Sequence, residues 1–372
     1  MPEQHWIPEK VYIDEEALTA SRTQEILKRV PEAEKIKVRD VKELARKIYE
    51  RPHRFTEGKQ TLFLTRHRGK FLSMCPALTE SAVCCNYRTI NIIMGCNFDC
   101  SYCFLQAYLN NPLTTFYVNL DDMFDELKSA VDSHPEKIFR FGTGEFTDSL
   151  SLDPILGINK DLITFFAERK NASLELKTKS ARVESLLDLK HNGKTIVAWS
   201  VNTEFIQKTE EHKTAAIDER IAAARKCVNA GYRVAFHFDP IIMHEDWKEG
   251  YSETARKLKE SIPQDAIAWI SYGSLRFVSK LKQEALTRFR TTPIFSGEFV
   301  KGFDGKMRYF TPLRTKLYQT VHRYIQEAFP KITPYICMEP EHIWEQSFDY
   351  KSPTAESLSA KLDIRSTLKI DA

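Results

Sequence analysis

No apolar run in this chain approaches the roughly 18 residues that a membrane-crossing helix needs, so no helical span is expected. Charge of one sign is not in excess either: 54 Lys and Arg stand against 51 Asp and Glu, a formal net charge of +3. Any nucleic-acid surface must therefore be a local patch rather than a global field. No basic, apolar and small-residue succession opens the sequence, no segment repeats at a fixed period, and no low-complexity stretch interrupts it. These absences lead to the expectation of a soluble, cytoplasmic protein without membrane contact. What is present is ample core material, with 42% hydrophobic and 11% aromatic residues over 372 positions. Eight cysteines without an export signal read as reduced thiols or metal ligands rather than disulfides.

Three of the cysteines form Cys96-Asn-Phe-Asp-Cys100-Ser-Tyr-Cys103, directly after the apolar stretch Ile90-Asn-Ile-Ile-Met-Gly95. Thiolates spaced this closely hold three corners of a [4Fe–4S] cube and leave one iron without a protein ligand, whereas an electron-transfer cluster takes four cysteines. An iron with a vacant site can chelate the amino and carboxylate groups of S-adenosylmethionine. One electron then splits the sulfonium to a 5′-deoxyadenosyl radical, chemistry that belongs to the cofactor while the protein supplies position and seclusion. Such a cluster needs a reducing compartment and an electron donor such as a flavodoxin or ferredoxin. The competing readings are a zinc loop and a chance group of buried thiols. Zinc sites join two ligand pairs at predictable spacing, and neither Cys nor His follows within thirty residues of Cys103. Tyr102, an aromatic before the last cysteine, also fits the radical motif.

Around this motif the pattern is α/β. Residues 1–50 are charged, with apolar residues at helical spacing over 14–29 and 41–48, so residues 1–88 are expected to form a helical N-terminal extension. Short β-type segments stand at 60–65, 89–94, 137–141, 174–178, 195–201, 233–238 and 266–272. From residue 89 on they alternate with helical patterns at 120–133, 161–170, 183–190, 218–230 and 251–261. Six strands alternating with helices over 89–290 predict an open, partial (β/α)6 barrel, with the cysteine loop after its first strand and catalytic residues at the C-terminal strand ends. Residues 291–372 are expected to add a hairpin over 299–310, turning at Asp304-Gly305, and a helix over 313–328.

Beyond the cysteines, Trp199-Ser200-Val201-Asn202, Asp218-Glu-Arg-Ile-Ala-Ala-Ala-Arg225, Ala230-Gly-Tyr232 and Pro240-Ile-Ile-Met-His244 through Tyr251 resemble spore photoproduct lyase and its radical S-adenosylmethionine relatives, over about residues 8–335. That family repairs a methylene-bridged thymine dimer in spore DNA by abstracting a hydrogen atom, fragmenting the bridge and returning a hydrogen atom. The resemblance implies that Cys96, Cys100 and Cys103 bind the cluster, that Lys179 lies near the cofactor carboxylate, and that Ser200 and Asp239 lie at cofactor-contacting strand ends. Gly142-Thr-Gly144-Glu145 resembles the Gly-Gly-Glu segment of such enzymes: glycine admits close backbone approach, and the Glu145 carboxylate suits the methionine ammonium. Plainer readings are a solvated charge for Lys179, a satisfied core hydroxyl for Ser200 and a strand-end turn for 142–145.

Two departures stand out. The family's hydrogen-donating cysteine is expected just beyond Gly144, where this chain has Glu145-Phe146-Thr147, and the tyrosine expected after the third cluster cysteine is Phe104. Radical generation carries over; the usual hydrogen donor does not. Cys75, Cys84, Cys85 and Cys337 offer an auxiliary iron–sulfur cluster, an alternative donor in Cys84, Cys85 or Cys337, or plain buried packing. Tyr102 is a candidate catalytic hydroxyl, whereas Cys227, His67 and His237 read as structural. Lys301, Lys306, Arg308 and Tyr309 on the hairpin are candidate DNA contacts, basic groups for phosphates and an aromatic for a base extruded from the stack; a solvated edge hairpin is the alternative. The expected function is radical chemistry on DNA, at a thymine photoproduct or modified base. The alternatives are an RNA, peptide or small-molecule substrate, or a non-catalytic iron–sulfur protein that binds nucleic acid.

Overall fold

The computed structural model describes residues 6–367 apart from 52, 76–81, 303 and 349. The strands Arg88–Ile90, Phe139–Gly142, Ala172–Thr178, Thr195–Ser200, Arg233–Ile241, Ile267–Ser274 and Pro334–Ile336 lie side by side in that order, all parallel. Leu72–Met74 adds an antiparallel edge beside Arg88–Ile90. The six expected barrel strands are thus present, with one further strand at each end of the sheet. Thr195–Ser200 and Ile267–Ser274 are buried at every position, as a parallel sheet covered on both faces requires.

Helices cover the sheet where the 3.6-residue period placed them. In Ile217–Asn229 the Glu219 carboxylate accepts from the Ala216 N–H at 2.7 Å, capping the start. Ile217, Ile221, Ala224 and Cys227 then face the core, and Gly231 at φ +86° ends the helix in the left-handed conformation. Cys227 is therefore core, as its helical surroundings suggest. The pattern over 183–190 yields only the single 3-10 turn Glu184–Leu186. There the Ser180 hydroxyl accepts from the Arg182 N–H and the Glu184 carboxylate from the Val183 N–H, local bonds that compete with helix formation.

The N-terminal extension contains the helices Ser21–Arg29 and Val41–Tyr49, the expected strand at Thr61–Thr65, and further strands that periodicity did not reveal. Lys10–Asp14 pairs in parallel with Glu34–Val38 on one side and Thr61–Thr65 on the other. Thr61–Thr65 continues to Thr114–Tyr117, against which Ile93–Met94 runs antiparallel. The strand expected over 89–94 thus divides: Arg88–Ile90 belongs to the large sheet and Ile93–Met94 to the small one.

At the other end, Phe299–Lys301 and Met307–Tyr309 form the expected hairpin, with the Gly302 N–H donating to the Lys306 carbonyl at 2.8 Å. Arg276–Phe277 adds a third strand, so the hairpin is joined to the barrel end. The helix Thr311–Ala328 follows, and the later helix Ala355–Thr367 is held by the Arg140–Asp363 ion pair at 2.7 Å.

Candidate active site

The cysteine loop starts at Gly95, whose φ of +95° favours glycine and where a side chain's Cβ would sit a tight 3.2 Å from Thr114 Cα. Its N–H donates to the Phe146 carbonyl at 2.9 Å, tying the loop to the turn that carries Gly144 and Glu145. Lys59, the last residue of the helix Arg54–Lys59, donates its ammonium to the carbonyls of Cys96 and Phe98. Asp99 is gripped by Arg288 at 2.7 and 3.0 Å, and the Gln106 amide donates to the Cys100 and Ser101 carbonyls. Buried polar side chains thus fix the backbone carrying the three thiols.

Those thiols line one cavity of about 540 Å³ together with residues from successive C-terminal strand ends. Gly144 and Glu145 follow Phe139–Gly142, Lys179 follows Ala172–Thr178, Ser200 ends its strand, and Asp239 lies near the end of Arg233–Ile241. Burial pushes the Cys96 thiol up to about 12 and raises Cys100 as well, while Lys59 and Lys179 respectively pull them back. The donor set is three thiols flanked by two ammonium groups, which suits a cluster whose ligands must be deprotonated. Among the described residues no three His, Cys, Asp or Glu side chains converge closely enough to hold a single metal ion, which holds for the motif thiols and the other cysteines alike.

Part of the cavity wall is charged. Burial raises Glu145 above the ordinary carboxylate range against the pull of Lys177. Burial also works against the Lys177 charge, but Asp239, Glu145 and Glu175 outweigh it and keep that ammonium protonated. Asp239 is held below its ordinary value: burial alone would raise it, and Arg276 and then Lys177 overcome that. The cavity therefore presents carboxylates, Glu145, Asp148 and Asp239, and several cations within one enclosure.

The remaining candidates separate by place. Tyr102 is buried, and its hydroxyl donates to Glu211 rather than into open space. Cys337 lines the cavity, as does Cys75, whereas Cys84 and Cys85 are not among its lining residues. On the hairpin, Lys301 is exposed and Lys306 lines the cavity. Arg308 and Tyr309 differ from expectation: Arg308 forks onto Asp304 at 2.6 and 2.7 Å, and Tyr309 is 3% exposed, stacked on Phe299. Their burial makes them supports of the hairpin rather than surface contacts. His237 is buried between Glu175 at 2.7 Å and Ser271 at 2.5 Å, and His67 packs on Phe71 and Tyr117.

Several site residues escaped the sequence reading. Asp148 accepts from the Thr178 hydroxyl and the Lys179 N–H, both at 2.7 Å, and so locks two strand ends together. Glu211 pairs with buried Arg220 at 2.6 Å, and Lys177 and Arg276 complete the charged wall. The Asp148 partners lie 30 and 31 residues along the chain, and Glu211, though near Arg220 in sequence, also accepts from Tyr102 109 residues away, so no local pattern marks them.

The family model described as spore photoproduct lyase matches residues 6–335. The spore photoproduct lyase of Geobacillus sp. (strain Y412MC61) is 29% identical over 347 residues, 87% of this chain and 97% of the relative. That of Bacillus subtilis (strain 168) is 29% identical over 339 residues, 87% of this chain and 96% of the relative. Among solved structures, spore photoproduct lyase complexed with dinucleoside spore photoproduct matches with a TM-score of 0.76 at 27% identity, covering 90% of this chain and 99% of that one. A variant with bound AdoMet and dinucleoside spore photoproduct matches equally, with a TM-score of 0.76 at 27% identity and the same coverage.

Proposed function

From the premise that the chain belongs to the spore photoproduct lyase family of radical S-adenosylmethionine enzymes, we propose that it binds a [4Fe–4S] cluster on Cys96, Cys100 and Cys103 and acts on a thymine photoproduct or modified base in DNA. The observation that carries this reading is the single cavity that joins the three thiols to Glu145, Lys179, Ser200 and Asp239. When bound there, the cluster and S-adenosylmethionine supply a 5′-deoxyadenosyl radical, with the electron delivered by a flavodoxin- or ferredoxin-type donor in a reducing, cytoplasmic setting.

The chain's own residues bind and orient. Among the described residues neither Glu145 nor Lys177 hydrogen-bonds through its side chain within the protein. Glu145 is available to an ammonium, and Lys179, whose Nζ lies 5.8 Å from the Tyr102 ring centroid, to a carboxylate. Together they suit the two charged groups of a methionyl ligand. Asp148 holds the strand end that aims Lys179. Toward solvent, the hairpin carries Lys301 beside exposed Val300 and, past its second strand, exposed Phe310. A cation between exposed apolar side chains suits insertion beside a base with a phosphate near by.

The test is anaerobic reconstitution with iron and sulfide, followed by dithionite and S-adenosylmethionine. Release of 5′-deoxyadenosine, with loss of a thymine photoproduct from ultraviolet-damaged DNA, is expected. A zinc ion or a cluster ligated by four protein residues in oxygen-free material would overturn the reading.

A further inference from the structure

On its outer side the cysteine loop is covered by one short strand. Asp99–Cys100 pairs antiparallel with Glu211–His212, Cys100 opposite Glu211 and Asp99 opposite His212. The Ser101 N–H continues the pairing by donating to the Glu210 carbonyl at 2.8 Å. Paired backbones lie only about 5 Å apart. His212 is half-buried and Lys213 exposed, so on this side a single strand stands between the Cys100 backbone and solvent. The turn after that strand is braced from within. Buried Arg220 donates to the Ala215 carbonyl at 2.9 Å and to the Thr214 hydroxyl at 2.7 Å and pairs with Glu211 at 2.6 Å. Those bonds hold the bend in which Lys213 takes φ +67°.

The segment that ends the helix Ser279–Arg288 lies against the same strand pair. Arg288 forks onto Asp99, and the Thr292 hydroxyl donates to Glu210 at 2.6 Å, which sets Phe289 and Arg290 between two anchors. The Phe289 ring stacks on the His212 ring, with centroids 5.1 Å apart and 18° between the planes. Each stacked ring is followed in sequence by an exposed cation, His212 by Lys213 and Phe289 by Arg290. Among the described residues neither cation has a side-chain hydrogen bond or ion pair. Beneath them Lys59, Arg288 and Lys213 all act on the one carboxylate of Asp99. Glu284 is engaged by Arg54, and Glu210 is buried and accepts from the Ser101 and Thr292 hydroxyls. This face thus carries an excess of positive charge around a small, flat ring pair.

We propose that this face docks an acidic one-electron carrier protein of the flavodoxin or ferredoxin class, an inference that rests on the radical reading above and adds the place where the carrier sits. The cavity side of the loop is given to S-adenosylmethionine and substrate, so an electron delivered while substrate is held needs another face, and this one lies a single strand from Cys100. In the step itself the reduced carrier loses one electron and the centre held by the three thiols gains it; no bond forms or breaks, and the carrier leaves oxidised. Redox encounters bury little surface and are transient, so charge steering counts for more than area. Lys213 and Arg290 on the rim of the ring pair suit such an encounter with an acidic partner. The Phe289 ring is already engaged by His212 and by the Arg288 guanidinium, 4.8 Å from its centroid, so it offers a base little free face, which argues against nucleic acid here.

The test titrates purified flavodoxin and, separately, ferredoxin into the protein reconstituted with iron and sulfide, by anaerobic calorimetry at low and high salt. Wild type should bind one of them at low salt and lose affinity as salt rises. K213E/R290E should bind that carrier at least about tenfold more weakly, whereas K301E, on the hairpin, should bind it as wild type does. With S-adenosylmethionine present, the double variant should form 5′-deoxyadenosine at the wild-type rate from dithionite, which needs no docking face, and at least about tenfold more slowly from the reduced carrier. The retained dithionite rate also reports an intact fold. Should charge reversal lower that rate too, K213Q/R290Q removes the charges without reversing them and is read in the same way. Carrier affinity unchanged in the double variant overturns the proposal, and so does wild type that binds neither carrier at low salt. Loss of oligonucleotide binding in place of carrier binding overturns it as well and makes the face a nucleic-acid surface. Wild type that forms no 5′-deoxyadenosine from dithionite removes the radical reading instead, and because the titration needs no turnover the two failures are told apart.

Discussion

Arg276 and Asp239 meet as a fork, Nη1 to Oδ1 at 3.1 Å and Nη2 to Oδ2 at 3.0 Å, and so bind the hairpin sheet to the end of a barrel strand. R276A leaves a partly buried carboxylate without its fork, facing Lys177 and His237, and should cost up to about 3 kcal/mol in urea unfolding. R276K keeps the charge but not the fork and should recover only part of it. Because the folded Asp239 carboxyl is depressed, after Arg276 and Lys177 overcome burial, the stabilisation is present above the ordinary carboxylate value and fades as pH falls through the folded one. The gap between wild type and R276A should narrow on acidification, and a gap constant with pH would count against the linkage.

Lys59, at the helix end just before the strand Thr61–Thr65, reaches the Cys96 and Phe98 carbonyls and lies 3.7 Å from Asp99. K59A leaves those buried acceptors unpaired, at about 1–3 kcal/mol for each lost partner. The reconstituted variant should retain less iron through desalting than wild type and melt at a lower temperature.

A methyl group on Gly144 would lie 2.6 Å from Lys177 Cβ and 3.0 Å from the Lys177 carbonyl oxygen. G144A must therefore shift the turn that carries Glu145, whereas E145Q removes only charge. Both should weaken S-adenosylmethionine binding in anaerobic equilibrium dialysis by at least about tenfold, roughly 1.4 kcal/mol. G144A alone should also lower thermal stability.

On the hairpin, K301E should weaken oligonucleotide binding and lower the salt slope by about one. Y309F should leave binding unchanged, since that ring is stacked inside on Phe299. Asp304 is brought down to about 2 by its hydrogen bonds from Arg308, against some burial. The turn should stay intact at neutral pH and loosen as pH falls from the ordinary carboxylate value toward about 2, read as faster proteolysis at the hairpin.

Much of the barrel was legible because buried parallel strands such as Thr195–Ser200 read as short apolar runs between helical periods. The cysteine loop was legible because its three thiols are close together in sequence. Glu34-Lys-Ile-Lys-Val38 was not, since a charged, alternating edge strand carries little apolar signal. Asp148, Glu211 and Arg276 were hidden for a different reason: each gains its role from a partner that only the folded chain supplies. The hairpin was correctly located, yet sequence does not say which of its basic residues face inward, and Arg308 does.

The shared small sheet has a practical consequence for anyone trimming this protein. Its strand Thr61–Thr65 lies between Lys10–Asp14 and Thr114–Tyr117, and Ile93–Met94 completes it just before the cysteine loop. Deleting the first sixty or so residues would strip the outer strands and Lys59 from beneath that loop. A minimal fragment cannot begin at the barrel; the leading segment is the foundation on which the turn carrying Cys96, Cys100 and Cys103 is laid.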